Sequence, residues 1–102
     1  MVIALLDQQN ECNFSIRFDD ESKKEMVKEF MRAGLSAWYE AAHDDIEENR
    51  YFTADEIAGF YDAGYGEPTL VLLKRYHVKA DLIDCEYDED DCVVNADEVI
   101  FY

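Results

Sequence analysis

An α+β domain with a mostly antiparallel sheet is the fold class this sequence predicts. Apolar runs and alternating segments of strand length gather towards the two ends of the chain. Between them lie two stretches with helical apolar spacing, each opened by a capping signature. Strands and helices therefore come in blocks, in the order β-β-α-α-β-β-β. Blocks rather than alternation indicate segregated helices and sheet, not a doubly wound parallel sheet. The expected architecture has one long and one short helix packed on one face. With 102 residues, 49% of them hydrophobic and fourteen aromatic, the chain fills one modest core and forms a single acidic domain, residues 1–102.

The elements follow in order. Val2-Ile3-Ala4-Leu5-Leu6 is an apolar run suited to a buried strand. Residues 8–11 are polar and read as a turn. Phe14, Ile16 and Phe18 then alternate with polar neighbours, the period of two of a half-buried strand, so residues 2–18 predict a hairpin. Ser22 with Glu25 is a capping-box pattern, and Met26, Val27, Phe30, Met31, Leu35, Trp38, Tyr39 and Ala42 recur at helical spacing behind it. They predict a helix over about 23–43, with Gly34 as a point where it can bend. Residues 44–50 either continue this helix or form an acidic loop, and carboxylates at a helix C-terminus disfavour continuation. Thr53 with Glu56 is a second capping box, opening a short helix at about 54–63 that Gly64 stops. Residues 65–68 read as a turn, 69–76 as an apolar strand and 78–87 as another. Asp88-Glu89-Asp90-Asp91 is a hairpin tip; residues 92–94 open the return strand and 99–102 close it, with 95–98 as a bulge or turn.

Charge is the most distinctive property of the composition. Twenty-five acids face nine bases, a formal net charge of −16. Residues 1–37 hold seven acids and five bases, a net of −2; residues 38–102 hold eighteen acids and four bases, a net of −14. Such a surface repels nucleic acid and anionic membranes and attracts basic proteins or cations. A disordered acidic tail would lack the aromatic content seen here. No apolar run is long enough to span a bilayer. The N-terminus shows no basic segment with a small-residue cleavage site, so a cytoplasmic protein with reduced thiols is expected. Cys12, Cys85 and Cys92 fit no zinc spacing. Cys85 and Cys92 can face each other across the predicted hairpin, but reduced packing residues are the expectation. The sequon at Asn13 then carries no glycan.

The acidic array offers the most specific functional pattern. Glu40, Asp44 and Glu48 are spaced i, i+4, i+8, so a continued helix sets them on one face about 6 Å apart, with Asp45 and Glu47 beside the row. Asp84, Glu86, Asp88 and Asp90 alternate in an extended segment, where next-but-one residues lie ~6.7 Å apart. Two nucleotide steps of a DNA strand rise about 6.8 Å. Carboxylates so spaced can occupy phosphate positions in a basic groove and form charge-assisted bonds there. Glu40, Asp44, Asp45, Glu47, Glu48, Asp88, Glu89, Asp90 and Asp91 are therefore the candidate partner-binding residues. A solvated acidic face produces the same spacing. In size and charge the chain resembles the small acidic inhibitors that mobile elements carry against host nucleases, the anti-CRISPR and anti-restriction proteins. That likeness implies a non-enzymatic inhibitor and assigns no residue roles.

Other chemistries are less well supported by the residues. Asp84-x-Glu86-x-Asp88-x-Asp90 is similar to the ligand alternation of an EF-hand loop, but Glu89 stands at the glycine position and Asn95 at the bidentate glutamate position. A loose calcium site there is the alternative function, beside an acidic accessory or immunity protein. His43 and His77 have no obvious catalytic partner, and plentiful carboxylates single out no acid–base pair. No enzyme, no cofactor and no metal ligand set is expected. Trp38, Tyr39, Tyr51, Phe52, Phe60, Tyr61 and Tyr65 read mainly as core, with Tyr51, Tyr65 and Tyr76 free to anchor an interface. The expected partner is a basic protein, a nuclease or other nucleic-acid-binding protein, with no direct contact to nucleic acid or membrane.

Overall fold

The computed structural model describes all 102 residues. Strand β1 (Val2–Leu6) and β2 (Phe14–Phe18) pair antiparallel, with Ile3 opposite Ile16 and Leu5 opposite Phe14. Three helices follow: α1 (Lys24–Ala42), α2 (Ala54–Phe60) and α3 (Glu67–Arg75). Strand β3 (Ala80–Ile83) pairs antiparallel with β2, and β4 (Glu98–Phe101) pairs parallel with β1. The sheet order is β3-β2-β1-β4. An α+β fold with a mostly antiparallel sheet and the long helix packed on it is thus what the chain forms.

The core explains the layering. Ile3, Leu5, Phe14, Ile16, Phe18 and Ile100 are buried on one sheet face and meet Val27, Phe30, Met31 and Leu35 of α1, Ile57 of α2, and Leu72 and Leu73 of α3. Burying each such side chain contributes about 1.5–3 kcal/mol. The opposite face is also covered. Ala4 and Ser15 pair across β1 and β2 on that side and are fully buried. Cys85 Sγ lies 3.1 Å from Ser15 Oγ, so the β3–β4 connection crosses this face. It must span three strand spacings, about 14 Å, to reach the far edge.

Helix α1 nearly matches its predicted span, but its start is built differently. Asp20, not Ser22, caps the leading 3-10 turn (Glu21–Lys23): its Oδ1 accepts from the Ser22 amide at 3.1 Å and the Ser22 hydroxyl at 2.6 Å. The Thr53–Glu56 capping box forms in both directions. Gly34 is a packing contact: an added Cβ would lie 2.7 Å from the Thr69 amide nitrogen and nearer still to its hydroxyl. That hydroxyl donates to the Phe30 carbonyl at 3.1 Å, locking α3 onto α1. Overpacking there costs about 1–3 kcal/mol.

The last third departs from the predicted order. Residues 69–76 lie mostly in α3, not in a strand. Pro68, Thr69, Leu72 and Leu73 are buried, Leu70 is half-buried and Val71 is exposed, a period of 3.6. Pro68 in the first turn, Glu67 before it, and Lys74 and Arg75 in the last turn all favour a helix. The predicted strand 78–87 shortens to β3. The predicted return strand reduces to a Tyr87–Val93 bridge and then β4, which pairs with β1.

Candidate functional site

The strand register defines two ends of the sheet. Met1, Phe18, Ala80 and Glu98 lie at one; Leu6, Phe14, Ile83 and Phe101 lie at the other. The first end holds paired charge. Glu98 forms an ion pair with Lys24 at 2.7 Å and accepts from Lys28 at 2.6 Å, and these ammonium groups hold its carboxyl below the usual range. Arg17 meets Asp81 at 3.2 Å.

The second end is acidic. Helix α1 terminates there, and the Glu40–Asp44–Glu48 row does not form, because the helix stops at Ala42. The physical reason is the one anticipated: carboxylates add to the negative end of the helix dipole. Asp44 takes a left-handed backbone, φ 56°, and turns the chain out of the helix. The Asp45 amide still donates to the Glu40 carbonyl at 2.8 Å, and Glu47 folds onto Asp45 through a 3.1 Å backbone bond. Glu40 is half-buried and accepts from Asn49 Nδ2 at 3.1 Å. Glu48 points away from this end and lines a hollow with Arg50 and Arg75.

The second acidic segment is a tight hairpin tip, as expected, on irregular flanks. Tyr87 bridges Val93, and the Asp88 amide donates to the Cys92 carbonyl at 2.9 Å. The Asp88 carboxylate accepts from the amides of Asp90 at 2.9 Å and Cys92 at 3.0 Å. Asp91 is left-handed, φ 59°, and Glu89, Asp90 and Asp91 are exposed. Asp84 and Glu86 lie beyond β3, and Asp88 and Asp90 belong to the tip, so the four alternating acids do not share one strand. No three His, Cys, Asp or Glu side chains gather anywhere in a way that holds a metal ion. The cysteines are free thiols.

Residues that sequence reasoning passed over lie at this end as well. Asp7 directly follows β1 and is 3% exposed. Burial pushes its carboxyl up, but the Tyr39 hydroxyl and the amides of Gln9 (3.0 Å) and Asn10 (3.2 Å) outweigh this and hold it below the usual range. Burial and Asp7 together drive the Tyr39 phenol well above its ordinary value. Asp7 also lines one hollow with Glu11, Tyr87 and Asp91. Asn13 Nδ2 donates to the Tyr87 hydroxyl at 2.9 Å. The Asp7–Tyr39 contact joins the β1–β2 turn to the last turn of α1, just before Asp44 and Asp45, and Asp91 lines the same hollow as Asp7. The five ion pairs of the molecule use none of Asp44, Asp45, Glu47, Glu48 or the acids of residues 84–91.

His43 and His77 are exposed at the ends of α1 and α3, apart from each other in the chain and without a side-chain hydrogen bond. No helix is long and apolar enough to cross a membrane. No protein-family model, curated protein or solved structure matches this chain.

Proposed function

We propose that this chain is a non-enzymatic, cytoplasmic binding protein that docks its acidic end onto a basic, nucleic-acid-binding surface of another protein. In this role it acts as a DNA-mimic inhibitor of a nuclease, of the anti-CRISPR or anti-restriction kind. One observation carries the reading: the 44–47 and 88–91 segments approach the same end of the sheet, and their carboxylates are left out of every internal ion pair. Keeping like charges together in a domain of net charge −16 destabilises it. A basic groove would relieve that repulsion and be blocked by it. Electrostatic steering makes such association fast and salt-sensitive.

The test is affinity capture from host lysate at low and high salt, read by mass spectrometry, followed by competition with duplex DNA. Salt-sensitive capture of a nucleic-acid-binding protein that DNA displaces supports the reading. Capture unchanged by salt, or by DNA, overturns it in favour of an accessory role. A melting temperature that rises with added calcium would favour the cation-binding alternative.

A further inference from the structure

We infer that the hollow between the first half of α1, Tyr51 and Tyr76 is an aromatic pocket for a trimethylammonium group, the methylated lysine side chain of another protein. Two i, i+4 pairs build its α1 side: Glu25 with Glu29, and Met26 with Phe30. Phe30 is 4% exposed and forms the floor. Tyr51 meets it edge-on with ring centroids 6.0 Å apart, and Tyr76 meets it at 5.0 Å. The hollow these three rings line is about 350 Å³, within the ~300–1,000 Å³ of small-ligand clefts. Its walls are fixed from behind. The Tyr51 amide donates to Asn49 Oδ1 at 2.8 Å, its carbonyl accepts from Arg75 Nη1 at 2.8 Å, and its hydroxyl donates to Glu29. Arg75 is the last residue of α3 and Tyr76 follows it, so one helix end carries one wall and ties down the other.

A cation already uses this hollow. The Arg50 guanidinium lies 5.2 Å from the Tyr51 ring centroid, within the ~6 Å of a cation–π contact, and lines the same space. Its ion pair with Glu29 is long, 4.0 Å, and its side chain is 81% exposed, so it is loosely held and displaceable. The rings and Met26 select what replaces it. A bare lysine ammonium brings three N–H donors and a tight hydration shell, which Phe30 and Met26 cannot replace. A trimethylammonium has no N–H to satisfy, and aromatic faces attract its charge. Exposed Glu25 and Glu29 add attraction at the rim. They also favour one source of the group. Phosphocholine carries a phosphate beside its trimethylammonium, which these carboxylates and a net charge of −16 repel. Methylated lysine carries no such anion.

The pocket shares no residue with the 44–47 and 88–91 segments and does not rest on the proposed function. Nα-acetyl-Nε-trimethyl-lysine N-methylamide is titrated into the ¹⁵N-labelled protein. Saturable amide shifts centred on Met26, Phe30, Tyr51 and Tyr76 are expected. Binding should be about tenfold tighter than for the unmethylated lysine analogue and for the uncharged tert-butyl isostere. Y76L, at a position 51% exposed, should weaken it about tenfold, and Y76F should retain it. R50Q should tighten it about threefold, because a competing cation leaves the Tyr51 ring. A gain of affinity cannot come from misfolding. Equal binding of the isostere, affinity unmoved by Y76L and R50Q, or shifts scattered over the acidic segments would overturn the pocket. Phosphocholine bound as tightly as the trimethyl-lysine probe would overturn the assignment to a protein side chain in favour of a lipid headgroup.

Discussion

At the Met1 end of the sheet Glu98 is clasped by Lys24 and Lys28, and Arg17 is matched with Asp81. At the Leu6 end Asp44, Asp45, Glu89, Asp90 and Asp91 stand exposed without a cation, and buried Asp7 is satisfied only by neutral donors. The two ends share strands and helices, so the difference is one of charge use. Paired charge serves the fold. Carboxylates outside the ion pairs stand at the Met1 end too, but there Asp20 and Glu21 sit beside Lys23 and Lys24; at the Leu6 end they add repulsion to the fold and are available to something outside it.

The sharpest way to break this contrast is to neutralise the tip. D88N/E89Q/D90N/D91N should weaken capture of the basic partner by about 100-fold, from four contacts of about 0.7 kcal/mol each. Its thermal stability should stay equal or rise. Repulsion falls, and the amide that replaces the Asp88 carboxylate keeps an oxygen to accept from the backbone of Asp90 and Cys92. Loss of stability in a melting scan would show that these carboxylates hold the fold.

Asp7 gives the next largest effect. D7N exchanges a charged acceptor for a neutral one under the Tyr39 hydroxyl and should lower stability by about 2 kcal/mol in chemical denaturation at neutral pH. The sign with pH follows from the direction of the shift. The folded carboxyl lies below its unfolded value of ~3.9, so its contribution is complete above that value and is lost as pH falls through the folded pKa. The gap between wild type and D7N should therefore close in acid. A gap that stays constant with pH would mean that packing, not charge, is lost.

E98Q addresses the paired end. It should lower the melting temperature by a small amount, since Lys24 and Lys28 lose a common partner, and the difference should shrink in high salt. The smallest effect expected is on wild type itself: added sodium chloride should raise its melting temperature slightly by screening the acidic end. A fall with salt would place the dominant electrostatics at the paired end instead.

Much of the fold was legible because local signals agreed with tertiary packing. The apolar stripe from Val27 to Ala42 placed α1 within a residue at each end, and the Thr53–Glu56 pair marked the start of α2. The run Thr69–Leu73 misled, because a short apolar segment reads equally as buried strand or buried helix. Pro68 and the basic pair Lys74–Arg75 were the signals for a helix. In the site, the 88–91 tip was readable from its turn chemistry. Asp7 was not, although an aspartate closing an apolar run before a polar turn is an Asx-turn signal.

The sequence by itself determined the α+β class, the long helix, the acidic hairpin tip and the charge imbalance, because each depends on neighbours within a few residues. Only the tertiary structure decided how α3 seats on α1, that β4 pairs parallel with β1, and that Asp7 and Tyr39 join the β1–β2 turn to the end of α1. Those outcomes rest on contacts between residues far apart in the chain: Gly34 with Thr69, Leu5 with Ile100, Asp7 with Tyr39. Local propensity is blind to such contacts, and burial energy settles them.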